Sequence, residues 1–265
     1  MGDCRVAITG LGVVTPLGVG MESFWQGLME GRSGIKEISL FDAGRFPAHV
    51  AGQLDDFSAR NYVPKNYRKA VKVMARDIEI AVAAADLAFR DSGIVTKGID
   101  EANPDIASKR LGCNIGAGLI CSDLDELGMA VHTAVRDGKF DLKAWGAGGM
   151  NNLTPLWLLK YLPNMLSCHV TIIHGTEGPS NCITCGDASG LLAMGESARL
   201  IRRGGADAVV AGGAESKLNP MGLLRQGLLN RLATGDTQTC RPFDARHCGT
   251  VMGEGGGLVI LEEME

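Results

Sequence analysis

The sequence predicts an α/β fold in which strands and helices alternate and pack in layers. Two observations carry that expectation: short apolar or β-branched runs that stop at glycines, and longer segments between them whose apolar residues recur at helical spacing. A third sets the scale, because 265 residues with 45% hydrophobic content are enough to bury a core as one large domain or two small ones.

The elements follow in order. Arg5-Val6-Ala7-Ile8-Thr9-Gly10 reads as a buried strand that ends in a glycine-rich loop, Gly10-Leu11-Gly12, and residues 24–30 as a short helix. Residues 74–92, MARDIEIAVAAADLAFRDS, form the clearest long helix, with Gly93 as its C-cap signal. Leu111 to Ile115 is a short strand closed by Gly116-Ala117-Gly118, and residues 122–137 read as a more exposed, partly amphipathic helix. Residues 138–152, interrupted by four glycines and two asparagines, read as a surface loop. The apolar stretch 155–165 suits a short helix packed within protein or against a partner subunit. Val170 to Ile173 and Asn181 to Thr184 look like strands separated by a turn at residues 175–179. Residues 188–203 then form a helix whose apolar side chains spread around much of its circumference, which predicts burial on several sides.

A formal net charge of -4 offers no basic surplus, so nothing recommends nucleic acid as a partner. The first residues show no signal-peptide pattern, and no apolar run approaches the roughly 20 residues of a spanning helix. We therefore expect a cytoplasmic protein without membrane insertion. Gly2 is no myristoylation signal, because Ser or Thr is missing at the sixth position. The eight cysteines are expected as reduced, mostly buried thiols, and Cys182 and Cys185 form a single CxxC, too little for a zinc or redox site. Neither metal nor cofactor is expected. Gly10 and Gly12 lack the third glycine of a dinucleotide fingerprint.

The segment from Gly178 carries the function: a strand, a tight turn with Asp187 at the start of a long helix, then a second strand through Ala211-Gly212-Gly213-Ala214-Glu215. Aspartate there is favoured as an N-cap, and the positive end of the helix dipole favours an anion. These residues resemble those of the β-ketoacyl synthases of the thiolase-like superfamily. The resemblance rests on Gly178-Pro179-Ser180, on Gly204-Gly205-Ala206-Asp207 with the AGG-E-like element at 211–215, and on Val6 to Gly12 with Thr15-Pro16-Leu17-Gly18. Cys240-Arg241-Pro242-Phe243-Asp244 and the GEGAG-like run Gly253 to Glu262 extend it over nearly the whole chain. It implies a thiolase-like layered fold, α-β-α-β-α in the complete family. On this resemblance residues 1–265 would correspond to the amino-terminal synthase domain, with the carboxyl-terminal half expected to be absent from this chain.

Two departures shape what the resemblance implies. Counting from Gly178-Pro179 without a gap, the family's nucleophilic cysteine falls on Asp187, an anion but a weak nucleophile whose acyl anhydride would hydrolyse. Cys185, two residues upstream, is the alternative as a displaced nucleophile. The family's two catalytic histidines and a nearby lysine lie beyond the GEGAG-like strand, and His49, His132, His169, His174 and His247 sit in no matching motif.

The leading expectation is therefore a non-condensing, chain-length-factor-like protein of fatty-acid or polyketide synthesis. Its partners would be an active synthase subunit in a heterodimer, or itself in a homodimer, and acyl carrier protein. Residues 155–165 and 181–184 lie where the family builds its dimer interface. Two alternatives stay open: an acyltransferase or decarboxylase completed by a carboxyl-terminal half from elsewhere, and an inactive truncated fragment.

Overall fold

A computed structural model describes residues 4–236 and 239–264, so Gly2 lies outside the described residues. In chain order the elements are β1 (Arg5–Thr15), β2 (Gly18–Val19), α1 (Met21–Met29), β3 (Ile35–Glu37), β4 (Val50–Gly52), α2 (Arg76–Ser92), β5 (Leu111–Gly116), α3 (Leu124–Thr133), β6 (Val135–Arg136) and β7 (Lys139–Phe140). There follow α4 (Leu142–Ala147), α5 (Trp157–Lys160), α6 (Met165–His174), β8 (Ser180–Ile183), α7 (Ser189–Arg202), β9 (Ala208–Ser216), α8 (Pro220–Leu228) and β10 (Glu254–Met264).

Six strands form one mixed sheet in the order β2-β1-β10-β9-β5-β8. β10 runs antiparallel to both β1 and β9, whereas β5 is parallel to β9 and β8. Side chains alternate across the strands and so divide the core in two. Val210 and Ile260 face α2, and their neighbours Val209 and Leu261 pack against Leu200 and Ile201 of α7. The α/β layering expected from the sequence is present, with α2 and α6 on one face and α7 on the other.

The glycines of β1 are not a loop. The strand runs through them to Thr15, because a side chain at Gly10 or Gly12 would overlap the carbonyl oxygens of Ala88 and Ala84 on α2. α2 answers with Ala81, Ala83, Ala84, Ala85 and Ala88, all fully buried, so helix and strand meet backbone to backbone. It ends at Gly93 in the left-handed conformation, as predicted.

At the other end of α2 sits a buried polar knot. The Glu254 side chain is fully enclosed and accepts from Arg76 Nε (3.0 Å), Leu54 N (2.9 Å) and Ser216 Oγ (3.1 Å). Next to it Asp77 accepts from Ser216 N at 3.0 Å, and burial pushes its carboxyl up to about 6. On α6, burial holds the imidazole of His174 down at about 3 while Nδ1 bonds Thr96 Oγ1 at 2.8 Å.

Four further expectations are corrected. Val170 to Ile173 belong to α6, where Leu166, Val170 and Ile173 are buried one helical turn apart and Gly175 caps the end; four β-branched or apolar residues in a row are too short a window to distinguish the two periods. The loop at 138–152 contains β7 and α4, the latter started by Asp141, whose side chain accepts from Lys143 N and Ala144 N. The segment 155–165 yields only the single turn α5 before α6 begins. Of the eight free cysteines only Cys113 and Cys121 are buried, and Cys185, Cys240 and Cys248 are exposed. Among the described residues no group of three or more metal-ligating side chains assembles, and no helix is long and apolar enough to cross a membrane.

Candidate active-site cleft

The strand β8 leaves the sheet at Ile183, and the chain turns through residues 184–188 into α7. Gly186 takes the left-handed conformation (φ 58°) that lets the turn close. Ser189, in the first turn of the helix, secures it from inside: its Oγ accepts from Cys185 N at 2.8 Å and donates to the Gly186 carbonyl at 2.7 Å.

That arrangement corrects the capping expectation for Asp187. The N-cap position is Ala188, and no side chain caps the helix. Since Ser189 already closes the turn, Asp187 stands outside it, exposed, with no hydrogen-bond or ion-pair partner for its carboxylate among the described residues. Cys185 is exposed on the other side of Gly186 and does not line the cleft described next. Cys182, the other half of the CxxC, is half-buried on β8 with its thiol pushed up by burial.

Asp187 lines a cleft of about 450 Å³ formed where α7 meets β5, β9 and β10. Eight of its fifteen lining residues are glycine, so a ligand there would meet mainly backbone. The glycines exist for packing as well: a side chain at Gly116 would overlap the backbone of Ser189, and one at Gly213 would lie 3.2 Å from Gly190 Cα. The first turn of α7, with its free amides and positive dipole end, is thus pressed directly onto the sheet beside Asp187. Glu215 is the second carboxylate of the cleft, but it is paired with Lys217. None of the five histidines lines the cleft; His169 and His174 lie on α6, across the sheet.

Chemically, the cleft presents a helix amino terminus, a glycine floor and one unpaired carboxylate. It lacks a thiol and an imidazole, the usual pair for acyl transfer through a covalent intermediate. α7 itself departs from the expectation of burial on several sides. Ser189, Ala193, Ser197, Leu200 and Ile201 form one buried stripe, whereas Leu191 is 75% and Leu192 43% exposed. On the same side of the sheet Ile8 and Leu11 of β1 are also exposed. The helix has one sheet to lean on, and its opposite side carries apolar residues with nothing over them.

One surface escaped sequence reasoning. Lys65 and Lys72 lie exposed on two consecutive 3-10 turns and Arg68 and Lys69 on the link between them, and none has an acidic partner among the described residues. Their spacing of three and four residues was a readable signal, hidden by the acidic balance of the whole chain.

Comparison with known proteins places these features. Residues 3–265 match the family model described as "Beta-ketoacyl synthase, N-terminal domain". The chain is 34% identical to 3-oxoacyl-[acyl-carrier-protein] synthase 2 of Vibrio harveyi over 268 residues, which covers 100% of this chain and 59% of that protein. It is 33% identical to the actinorhodin polyketide putative beta-ketoacyl synthase 2 of Streptomyces coelicolor, covering 97% and 58%. Among solved structures, a beta-ketoacyl synthase from Burkholderia phymatum superposes with a TM-score of 0.78 at 27% identity, covering 98% of this chain and 59% of that one. AntDE:AntF, a type II polyketide acyl-carrier protein in complex with its ketosynthase, superposes at 0.72 with 25% identity, covering 98% and 58%. The chain thus spans about three fifths of the length of the relatives it matches.

Proposed function

The chain belongs to the β-ketoacyl synthase family and has its thiolase-like fold, and from that premise we propose that it is a non-condensing, chain-length-factor-like partner of an active synthase in fatty-acid or polyketide synthesis. The observation that carries the reading is Asp187: an exposed, unpaired carboxylate at the mouth of α7, on the cleft, in the place that the resemblance gives to the nucleophile. A thiolate at a helix amino terminus attacks a thioester, whereas a carboxylate there is weakly nucleophilic and would yield an easily hydrolysed anhydride. No imidazole stands in the cleft to assist either step. Its unpaired negative charge also opposes entry of a malonyl carboxylate.

Three features support assembly with other proteins. The apolar residues Leu191, Leu192, Ile8 and Leu11 form a surface that calls for a further layer, whether from the same gene product or another chain. β8 is an edge strand and can extend the sheet into a partner. The basic face at Lys65, Arg68, Lys69 and Lys72 would accept a partner of negative surface, and we assign acyl carrier protein to it.

The test is an assay with malonyl carrier protein, with and without a cysteine-bearing synthase from the same host. Alone the chain releases no carbon dioxide and makes no carbon–carbon bond; with the synthase it alters product length, and Asp187→Ala leaves turnover intact. Carbon dioxide release by the chain alone, lost in Asp187→Ala, would establish the decarboxylase alternative instead.

A further inference from the structure

Opposite its buried stripe, α7 carries a second stripe that faces solvent: Leu191, Gly195 and Arg202, with Leu192 and Arg199 beside it. At 3.6 residues per turn the first three lie within about 40° of one another around the helix. A side chain built at Gly195 would meet nothing within 4 Å, so the middle of the stripe is open to close approach. Asp187 stands at one end of the stripe and Arg202 at the other.

Both ends are uncompensated charges. Neither Asp187 nor Arg202 has a side-chain partner among the described residues, whereas the neighbouring Arg199 and Arg203 are both held by Glu196. Asp187 precedes Gly195 by eight residues and Arg202 follows it by seven, so the opposite charges are nearly equidistant from the open glycine. Fifteen residues of helix separate them by roughly 22 Å, too far to pair within one chain.

Such a stripe is complementary to itself when reversed. A second copy laid antiparallel across it, on a two-fold axis at Gly195, sets Asp187 of each chain against Arg202 of the other. Leu191 and Leu192 then lie over the aliphatic stem of Arg199 and over Ala198 of the second copy. A shallow crossing of about 20° keeps the two helices close along their length, so both charge pairs can form. The parallel arrangement brings like charges together at both ends and is disfavoured. Burial of the leucines supplies the affinity, since exposed ion pairs add little, and the charges fix the direction. We propose that α7 is the contact of a two-fold pair of this chain, held in register by reciprocal Asp187–Arg202 ion pairs.

The pairing does not depend on what Asp187 replaces chemically. It uses neither the β8 edge nor the basic face at residues 65–72, so a synthase can join it as two copies of each chain.

The test is sedimentation equilibrium of the full chain, purified from its host and separated from any synthase, over a wide range of concentration. The native chain should form a dimer whose dissociation constant rises with salt. Asp187→Arg alone and Arg202→Asp alone each place like charges at both ends and should weaken the dimer at least about tenfold. Mixed in equal amounts, the two variants restore opposite charges at both ends and should pair with each other at native strength. The double variant Asp187→Arg/Arg202→Asp should likewise pair with itself. Both positions are exposed, and melting curves check that each variant is folded. A monomer at every concentration, a dimer unmoved by either single change, or single variants that fail to pair when mixed would overturn the proposal. A dimer isolated without any co-purifying synthase would count against the proposed function and leave the pairing intact.

Discussion

On one face of the sheet, α2 lays a strip of fully buried alanines against Gly10 and Gly12, and a buried ion pair between Arg76 and Glu254 pins its end. On the other face, α7 presses its first turn onto Gly116 and Gly213 yet leaves Leu191, Leu192, Ile8 and Leu11 in contact with solvent. Both contacts use glycine for close approach, but only the first is closed over by its own side chains. The difference separates what this chain closes over from what it leaves open: the α2 face is covered by its own side chains, and the α7 face, where the Asp187 cleft opens, exposes apolar residues, the surface to which the proposed function assigns a partner.

The comparison breaks most easily at the polar knot. Glu254→Ala removes, among the described residues, the only acidic partner at hydrogen-bond distance from a half-buried Arg76, together with two further hydrogen bonds, and should destabilise the chain by about 3–5 kcal/mol in urea unfolding. A loss under about 1 kcal/mol would show that the α2 face is not the stabilising one. Gly12→Val forces a side chain into the Ala84 carbonyl and should cost about 3 kcal/mol or more by the same measurement.

Asp77 gives an effect of comparable size with the opposite sign. Its carboxyl titrates near 6 in the folded chain and at 3.8 when unfolded, so the stability it contributes is full below pH 3.8 and is lost as pH rises through about 6. Asp77→Asn, which keeps an acceptor for Ser216 N, should gain up to roughly 3 kcal/mol over the native chain above pH 7 and nothing near pH 4. A flat difference between those pH values would contradict the assignment. His174 slopes the other way, because its folded value near 3 lies below the unfolded 6.5 and stability is lost as pH falls from 6.5 towards 3.

The smallest effect belongs to the open face. Leu191→Ser, at a position 75% exposed, should change the stability of the isolated chain by no more than about 0.5 kcal/mol. The same change should weaken any complex that covers α7, and that contrast between stability and association sharpens the division between the faces.

The sequence revealed more of the fold than of the site. The helix at 76–92 was legible because seventeen residues hold one period and Gly93 ends it. Glycines misled at one place: Gly10 and Gly12 read as a loop because their reason, the approach of α2, lies about 75 residues away in the chain. Val170 to Ile173 read as a strand because β-branched composition outweighed period in so short a run. At the site, the turn before α7 and the place of Asp187 at the start of that helix were legible, but its exposure was not, and the N-cap position belongs to Ala188. No side chain caps the helix; Ser189 instead closes the turn before it, accepting from Cys185 N and donating to the Gly186 carbonyl, a geometry that residue preference at N-caps does not encode.

The central claim, that Asp187 marks a partner and not a condensing enzyme, is tested most directly by the native mass of the protein isolated from its own host, with every co-purifying chain identified. A stable one-to-one complex with a cysteine-bearing synthase is the predicted result. A lone or self-associated chain, free of any synthase at cellular concentration, would contradict it.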